Sequence, residues 1–338
     1  MTNYEFGNFL SNYFLKYIPE RKNYSENTIK SYRDTFILFF EFCKKDVQIK
    51  LEKLTLEKID NKLIEAFLYW LKKDKNYSNA SVNQRLAAIK AFYRFIASEN
   101  PELLKYCSSI LAIKSKKVEE KPMNYLSIIA IEKLLNAPDT ESRYGIRNKA
   151  LLTLLYDSGA RVQEIADLKI NDLKLNNLST VRLKGKGNKT RVVPIMPQTA
   201  VILTNYLESQ SWFNRNSNQE LLFFNKSNNK LTRAGISYIL SKYIKILRKE
   251  YPEMFSTKIS PHTLRHSKAM HLLEANVNSI YIRDFLGHVS IITTEIYAKS
   301  NPEIKRKAIE KAAYQFSNET KYSKKEKNDL LKWLKEMI

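Results

Sequence analysis

The second half of this 338-residue chain carries, in order, Arg161, Lys186, His262, Arg265, His288 and Tyr297. Each is of a type that can handle phosphate. His262 and Arg265 fall in Ser260-Pro-His-Thr-Leu-Arg-His. Ser260 is a good N-cap and Pro261 suits the first helical position, so His262 and Arg265 are i, i+3 neighbours at a helix start. Free backbone N–H groups and the helix dipole favour an anion there. Arg161 follows the turn Asp157-Ser-Gly-Ala, and Glu164, three residues on, can orient its guanidinium. Lys186 sits between two glycines at a hairpin tip, which brings an ammonium within reach of a ligand, although a solvated turn lysine is the ordinary case. Gly287 stops a helix, and a histidine just beyond a helix stop is well placed to project into a cleft. Tyr297 lies nine residues later, on a short helix that Thr293 would cap. One tyrosine among 20 ordinarily packs. It gains meaning only beside the others.

Together these groups can perform phosphoryl transfer. Arginines bind non-bridging phosphate oxygens and stabilise the charge of a pentacoordinate transition state. A tyrosine can attack phosphorus and form a phosphotyrosine. A lysine can protonate the leaving hydroxyl, and a histidine can take the phenol proton. No compact group of Asp and Glu is ready for a two-metal site, so neither metal nor cofactor is expected. His271, among Met270, Leu272 and Leu273, reads as structural. His266 has no assigned role.

The elements that must carry these residues are mainly helical. Apolar residues at helical spacing predict a helix from about Tyr4 to Tyr17 and another after Ser25, with Ile29, Tyr32, Phe36, Phe39 and Phe40 along one face. Asp60 caps a third, running to about Lys73. A fourth spans about Ser81–Ser98. These four make a small bundle. Arg85, Lys90 and Arg94 lie off its apolar face, as solvated surface or as phosphate contacts. Lys114 to Pro122 is polar and charged and reads as a linker. Beyond it, helices are expected at about Ser127–Asn136, Tyr144–Tyr156, Arg161–Leu168, Gln198–Gln210, Arg233–Glu250, Pro261–Ala275, Ile280–Leu286 and Thr294–Lys299. Thr180–Lys184 and Thr190–Ile195 flank Gly-Lys-Gly-Asn-Lys and read as a β-hairpin. From Ser323, a capping-box pattern opens an amphipathic helix that would dock on its own domain or on a neighbour.

The formal net charge is +22, with 43% hydrophobic residues. Such a globular chain suits a polyanionic partner, nucleic acid or an anionic membrane surface. No apolar run is long enough to span a bilayer, and the N-terminus lacks a signal-peptide pattern, which makes membrane the weaker reading. Cys43 and Cys107 read as buried thiols in a reducing cytoplasm.

The segments Gly159-Ala-Arg161-Val-Gln-Glu164, Gly185-Lys186-Gly-Asn-Lys-Thr-Arg-Val-Val-Pro194, His262-Thr-Leu-Arg265-His, Leu286-Gly-His288 and Tyr297 resemble the tyrosine site-specific recombinases, the integrase family, in order and spacing. Ser25–Arg33 and Arg85–Tyr93 resemble that family's helical core-binding domain. The resemblance implies a catalytic set of Arg161, Lys186, His262, Arg265 and His288, supported by Glu164, with Tyr297 as nucleophile. It implies a mainly α fold with a small β-sheet in an α+β catalytic domain, and a two-domain C-shaped clamp on double-stranded DNA. The expected domains are 1–113 (helical, core-binding), a linker at 114–122, 123–316 (catalytic) and a C-terminal helix at 317–338 that is exchanged between protomers. A homotetramer on DNA with short inverted sites, in the cytoplasm, completes the expectation. The role would be integration, excision or transposition of a mobile element. Chromosome-dimer resolution, type IB topoisomerase-like relaxation and non-catalytic DNA binding are the alternatives. Unlike in the phage lambda integrase type, no extra N-terminal arm-binding domain is expected before residue 4.

Overall fold

The computed structural model describes residues 6–21, 24–50, 54–118, 123–185, 189–209 and 221–287. The protein is mainly α with one small antiparallel sheet. It divides into two compact units, Met1–Lys121 and Pro122–Ile338.

In the first unit, α1 (Phe6–Asn12) passes through a π-helical turn at Tyr13–Tyr17 into α2 (Ile18–Arg21). Then come α3 (Glu26–Lys45), α4 (Asn61–Lys73), α5 (Asn79–Glu99) and α6 (Leu104–Leu111). Ser25, Asp60 and Ser78 cap α3, α4 and α5 by accepting from the amides of Thr28, Leu63 and Ser81. Each such cap is worth about 1 kcal/mol. The aromatic stripes turn inward. Phe36, Phe39, Phe67, Phe92 and Tyr93 are buried, and Phe92 meets both Phe6 and Phe36 edge-on at 5.2 Å between ring centroids. Cys43 and Cys107 are free buried thiols.

Two features differ from the sequence expectation. The structure adds α6, whose Cys107 and Ile110 are fully buried; eight residues give too few turns for a clear apolar period. The start of the expected linker is also fastened down. Lys116 N donates to Asn83 Oδ1, Asn83 Nδ2 donates to Lys116 O, and Asn79 Nδ2 donates to Lys117 O, all at 2.8 Å. Residues up to 117 therefore pack with α5.

The second unit holds α7 (Ile128–Asn136), α8 (Arg143–Asp157), α9 (Val162–Ala166), β1 (Leu173–Lys174), β2 (Thr180–Lys184), β3 (Thr190–Pro194), α10 (Pro197–Ser209), α11 (Arg233–Glu250), α12 (Pro261–Glu274) and α13 (Ser279–Leu286). Its central helix is α8, where Ala150, Leu151, Leu152, Leu154 and Leu155 are all fully buried. Helices α10 and α12 pack on it. The expected hairpin is β2–β3, with Val181 opposite Val193 and Leu183 opposite Arg191. Val181, Leu183 and Val193 face the core. The two-residue β1 joins through Leu173 and Val181 to make three strands. So short a strand shows no readable alternation.

Among the described residues no helix is long and apolar enough to cross a membrane. The helix expected at Thr294–Lys299 and the C-terminal helix at 317–338 lie outside the described residues.

Candidate active site

The site begins where α8 ends. Gly159 takes a left-handed φ of 56°, and a Cβ there would meet Leu286 Cδ2 at 2.9 Å and Phe285 Cε1 at 3.1 Å. The turn therefore lies directly against the end of α13. Arg161 follows as the N-cap of α9. Glu164, one turn along, is 4% exposed. Its Oε2 accepts from the Arg161 backbone N–H at 2.8 Å, and its Oε1 accepts from Arg161 Nη1 at 3.0 Å. The pairing expected from the i, i+3 spacing is thus present.

A third residue completes this pair. Arg191, on β3, donates Nη1 to Glu164 Oε1 and Nη2 to Glu164 Oε2, both at 2.8 Å. A bidentate fork of this kind fixes a carboxylate plane. Burial alone would raise the Glu164 pKa. The hydrogen bonds and charge of Arg191, then the amide and charge of Arg161, outweigh that and hold it below the ordinary carboxylate value.

The end of α13 gathers the guanidiniums. Gly287 closes this helix in the left-handed conformation, φ 64°. Its last carbonyls lack helical partners, and cations are favoured there. Arg191 Nε donates to Phe285 O at 2.9 Å, Arg265 Nη2 to Leu286 O at 2.7 Å, and Arg161 Nη2 to Gly287 O at 3.2 Å. Arg265 Nη1 also donates to Gly159 O at 2.6 Å. Three consecutive carbonyls, immediately before residue 288, are thus held by three arginines from β3, α12 and the start of α9. The three guanidiniums share this spot with one carboxylate, an electrostatic setting that attracts an anion.

Ser260 caps α12, as its sequence suggests, and Pro261 occupies the first turn. His262 is exposed, whereas Arg265 is 3% exposed. The His262 and His266 rings stack with centroids 6.0 Å apart. Partial loss of water, then the charges of Arg265 and Arg161, push the His262 pKa below the ordinary histidine value. His262 is therefore neutral at neutral pH and able to accept a proton. His271 has the structural role expected of it. Its Nε2 donates to Leu126 O at 2.9 Å, which leaves Nδ1 to accept from the Tyr156 hydroxyl at 2.8 Å.

Of the six residues singled out by sequence, the structure brings together Arg161, His262 and Arg265, with Glu164 among them. Lys186, His288 and Tyr297 lie outside the described residues. The residues adjoining two of them are in the cluster. A Cβ on Gly185 would stand 3.2 Å from Glu164 Oε1, and the Gly287 carbonyl is held by Arg161.

Sequence reasoning did not single out Arg191. A signal was present, because Arg191 shares a strand face with buried Val193, and a charge on a core-facing position must find a partner. It also passed over Lys268, whose ammonium pairs with Asp157 Oδ1 at 2.9 Å while Asp157 Oδ2 accepts from Met196 N and Thr199 Oγ1. That pair joins α12 and the start of α10 to the end of α8.

The three basic residues on α5 divide. Arg85 Nη1 donates to Ser31 O at 2.9 Å and to Thr35 Oγ1 at 3.1 Å, tying α5 to α3. Lys90 Nζ donates to Ile113 O; burial and then the neighbouring Arg94 lower its pKa. Arg94 is exposed. Two of the three thus hold the helical unit together, and Arg94 presents its charge to solvent.

The model of the phage integrase family matches residues 125–303, and that of the phage integrase N-terminal SAM-like domain matches residues 12–100. The chain belongs to the phage integrase family, the tyrosine recombinases, and is an enzyme of that class. It is 34% identical over 304 residues to y4rC of Sinorhizobium fredii (strain NBRC 101917 / NGR234), provisionally named an integrase/recombinase, covering 90% of each chain. It is 31% identical over 293 residues to the tyrosine recombinase XerC of Natranaerobius thermophilus, covering 85% of this chain and 93% of XerC. Its fold is similar to that of the Tn1549 transposon integrase solved with transposon right-end DNA. There the TM-score is 0.69 at 17% identity, covering 90% of this chain and 99% of the other.

Proposed function

We infer that this enzyme carries out site-specific DNA recombination through a covalent 3′-phosphotyrosyl intermediate. The observation that carries the reading is the convergence of Arg161, Arg191 and Arg265 with Glu164 on the carbonyls just before His288. In this scheme the Tyr297 phenol oxygen attacks the scissile phosphorus and gives its proton to a histidine, His262 or His288. An O–P bond forms to the tyrosine and the bond to the 5′ oxygen breaks. Lys186 protonates that oxygen as it leaves. Arg161, whose side chain is 35% exposed, meets the non-bridging oxygens, and the buried Arg265 adds its charge. One phosphodiester bond is exchanged for another, so the 5′-hydroxyl of a partner strand can reverse the step on a new duplex. No metal or cofactor enters the scheme. Two rounds pass through a Holliday junction.

The substrate would be double-stranded DNA with short inverted sites. Four protomers, exchanging residues 317–338, would form the active assembly. The reading assigns the enzyme to integration, excision or transposition of a mobile element. It draws on the likeness to y4rC and on the fold of the transposon integrase. Resolution of chromosome dimers is the alternative. A footprint on the DNA flanking the gene separates the two, since an element's ends supply paired inverted sites at its boundaries.

The chemistry is tested with a nicked suicide duplex carrying that site. The wild-type chain should form a denaturation-resistant protein–DNA adduct, and Tyr297→Phe should form none. An adduct of undiminished yield with Tyr297→Phe would remove Tyr297 as nucleophile.

A further inference from the structure

We propose that Arg191 is a positioning residue of the strand-transfer site, the side chain that fixes the β2–β3 hairpin, the Arg161–Glu164 pair and the end of α13 to one another. The proposal rests on the strand-transfer reading above. Arg191 sits on β3 opposite Leu183, so its place is set by the hairpin register. Its side chain is only 13% exposed. All three of its nitrogens donate: Nη1 and Nη2 to the two Glu164 oxygens, and Nε to Phe285 O. The guanidinium also lies flat against Gly287. A Cβ there would meet Arg191 Cδ at 3.0 Å, Nη1 at 3.1 Å and Cζ at 3.3 Å. The glycine is therefore required twice, by its left-handed turn and by the arginine packed on it.

Glu164 accepts from Arg161 through the same two oxygens that Arg191 holds. Arg191 thereby sets the plane of the carboxylate that orients Arg161. It sets the position of the backbone leading to His288 through Phe285 O. It does so from the strand that leaves the hairpin bearing Lys186. With every nitrogen already donating to the protein and the side chain only 13% exposed, Arg191 is assigned to act on the reaction through these groups and not as a phosphate contact. A lysine at this position keeps the charge but cannot bond both carboxylate oxygens and the carbonyl in one plane.

Three measurements on the full chain test this: single-turnover cleavage of the suicide duplex, affinity for the same duplex, and hydrogen exchange of peptides covering 279–287. Arg191→Met should slow cleavage by on the order of 10²-fold, the cost of misplacing catalytic groups by about an ångström. Its DNA affinity should be unchanged, and amides at 283–287 should exchange faster. Arg191→Lys, which retains the charge, should stay folded and recover only part of the rate. Wild-type cleavage speed in Arg191→Met would overturn the proposal. So would a loss confined to DNA affinity, which would make Arg191 a phosphate contact. If the wild-type chain gives no Tyr297-dependent adduct, the strand-transfer reading fails instead. Hydrogen exchange then decides alone, and unaltered protection at 283–287 in Arg191→Met would sink the positioning role.

Discussion

The two ring nitrogens of His271 have different partners, and this makes its protonation costly. Nε2 donates to Leu126 O, and Nδ1 accepts from Tyr156. A second proton would have to go on Nδ1, against the Tyr156 hydroxyl that donates to it. Burial is the main cause that lowers the His271 pKa; Glu274 and the Leu126 carbonyl oppose it. His262 and His266 are depressed as well. The unfolded chain therefore binds more protons than the folded one below the ordinary histidine pKa of about 6.5. Stability is fully present above that pH and is lost as pH falls through it towards the folded values. The second unit's melting temperature should drop on acidification across this range, and His271→Gln should weaken the dependence. An unchanged slope in that variant would move the effect to His262 and His266. The partners of His271 are 115 and 145 residues away in sequence. Its apolar neighbours in the chain announced burial, but could not say which atoms would meet it.

At the scale of elements, the site depends on a turn and a helix end that touch. The turn after α8 presents the Gly159 carbonyl to Arg265, and its Cα faces Phe285 and Leu286 of α13. Gly159→Ala would place a methyl group in that contact and in a left-handed conformation at once. The backbone cost alone is about 1–2 kcal/mol, and the clash adds to it. Chemical denaturation should show at least this loss, with slower cleavage, since Arg265 and α13 are pushed apart. Wild-type stability in this variant would mean that α13 yields without cost. The elements themselves were largely legible. Ser25, Asp60, Ser78, Ser127, Ser142, Thr232 and Ser260 all cap helices as their types suggest. The exceptions, α6 and β1, are eight and two residues long. Period needs length, and short elements exist because larger neighbours give them a surface to pack on.

Over the whole molecule, the charge of +22 is shared by both units. Binding to duplex DNA should therefore release many counterions. With 6–10 phosphate contacts, affinity should fall by about 10³–10⁵-fold between about 50 and 200 mM salt. Fluorescence anisotropy at several salt concentrations measures the slope, and a flat response would argue against a backbone-dominated interface. By itself the sequence determined the charge, the helix starts, the core stripes, the hairpin and the order of residues that marks the family. The helix starts, the stripes and the hairpin depend on neighbours a few residues apart, through hydrogen bonds to the next turn or a repeat of the helical period, and the charge and the order of residues need no fold at all. The tertiary structure decided the rest. It put Arg85 and Lys90 to use inside the bundle, and it brought Arg191 and Arg161 onto carbonyls 94 and 126 residues distant. A guanidinium can satisfy any carbonyl that packing brings within 3 Å or so. Which one it meets is written in the shape of the folded core and in no local pattern of residues.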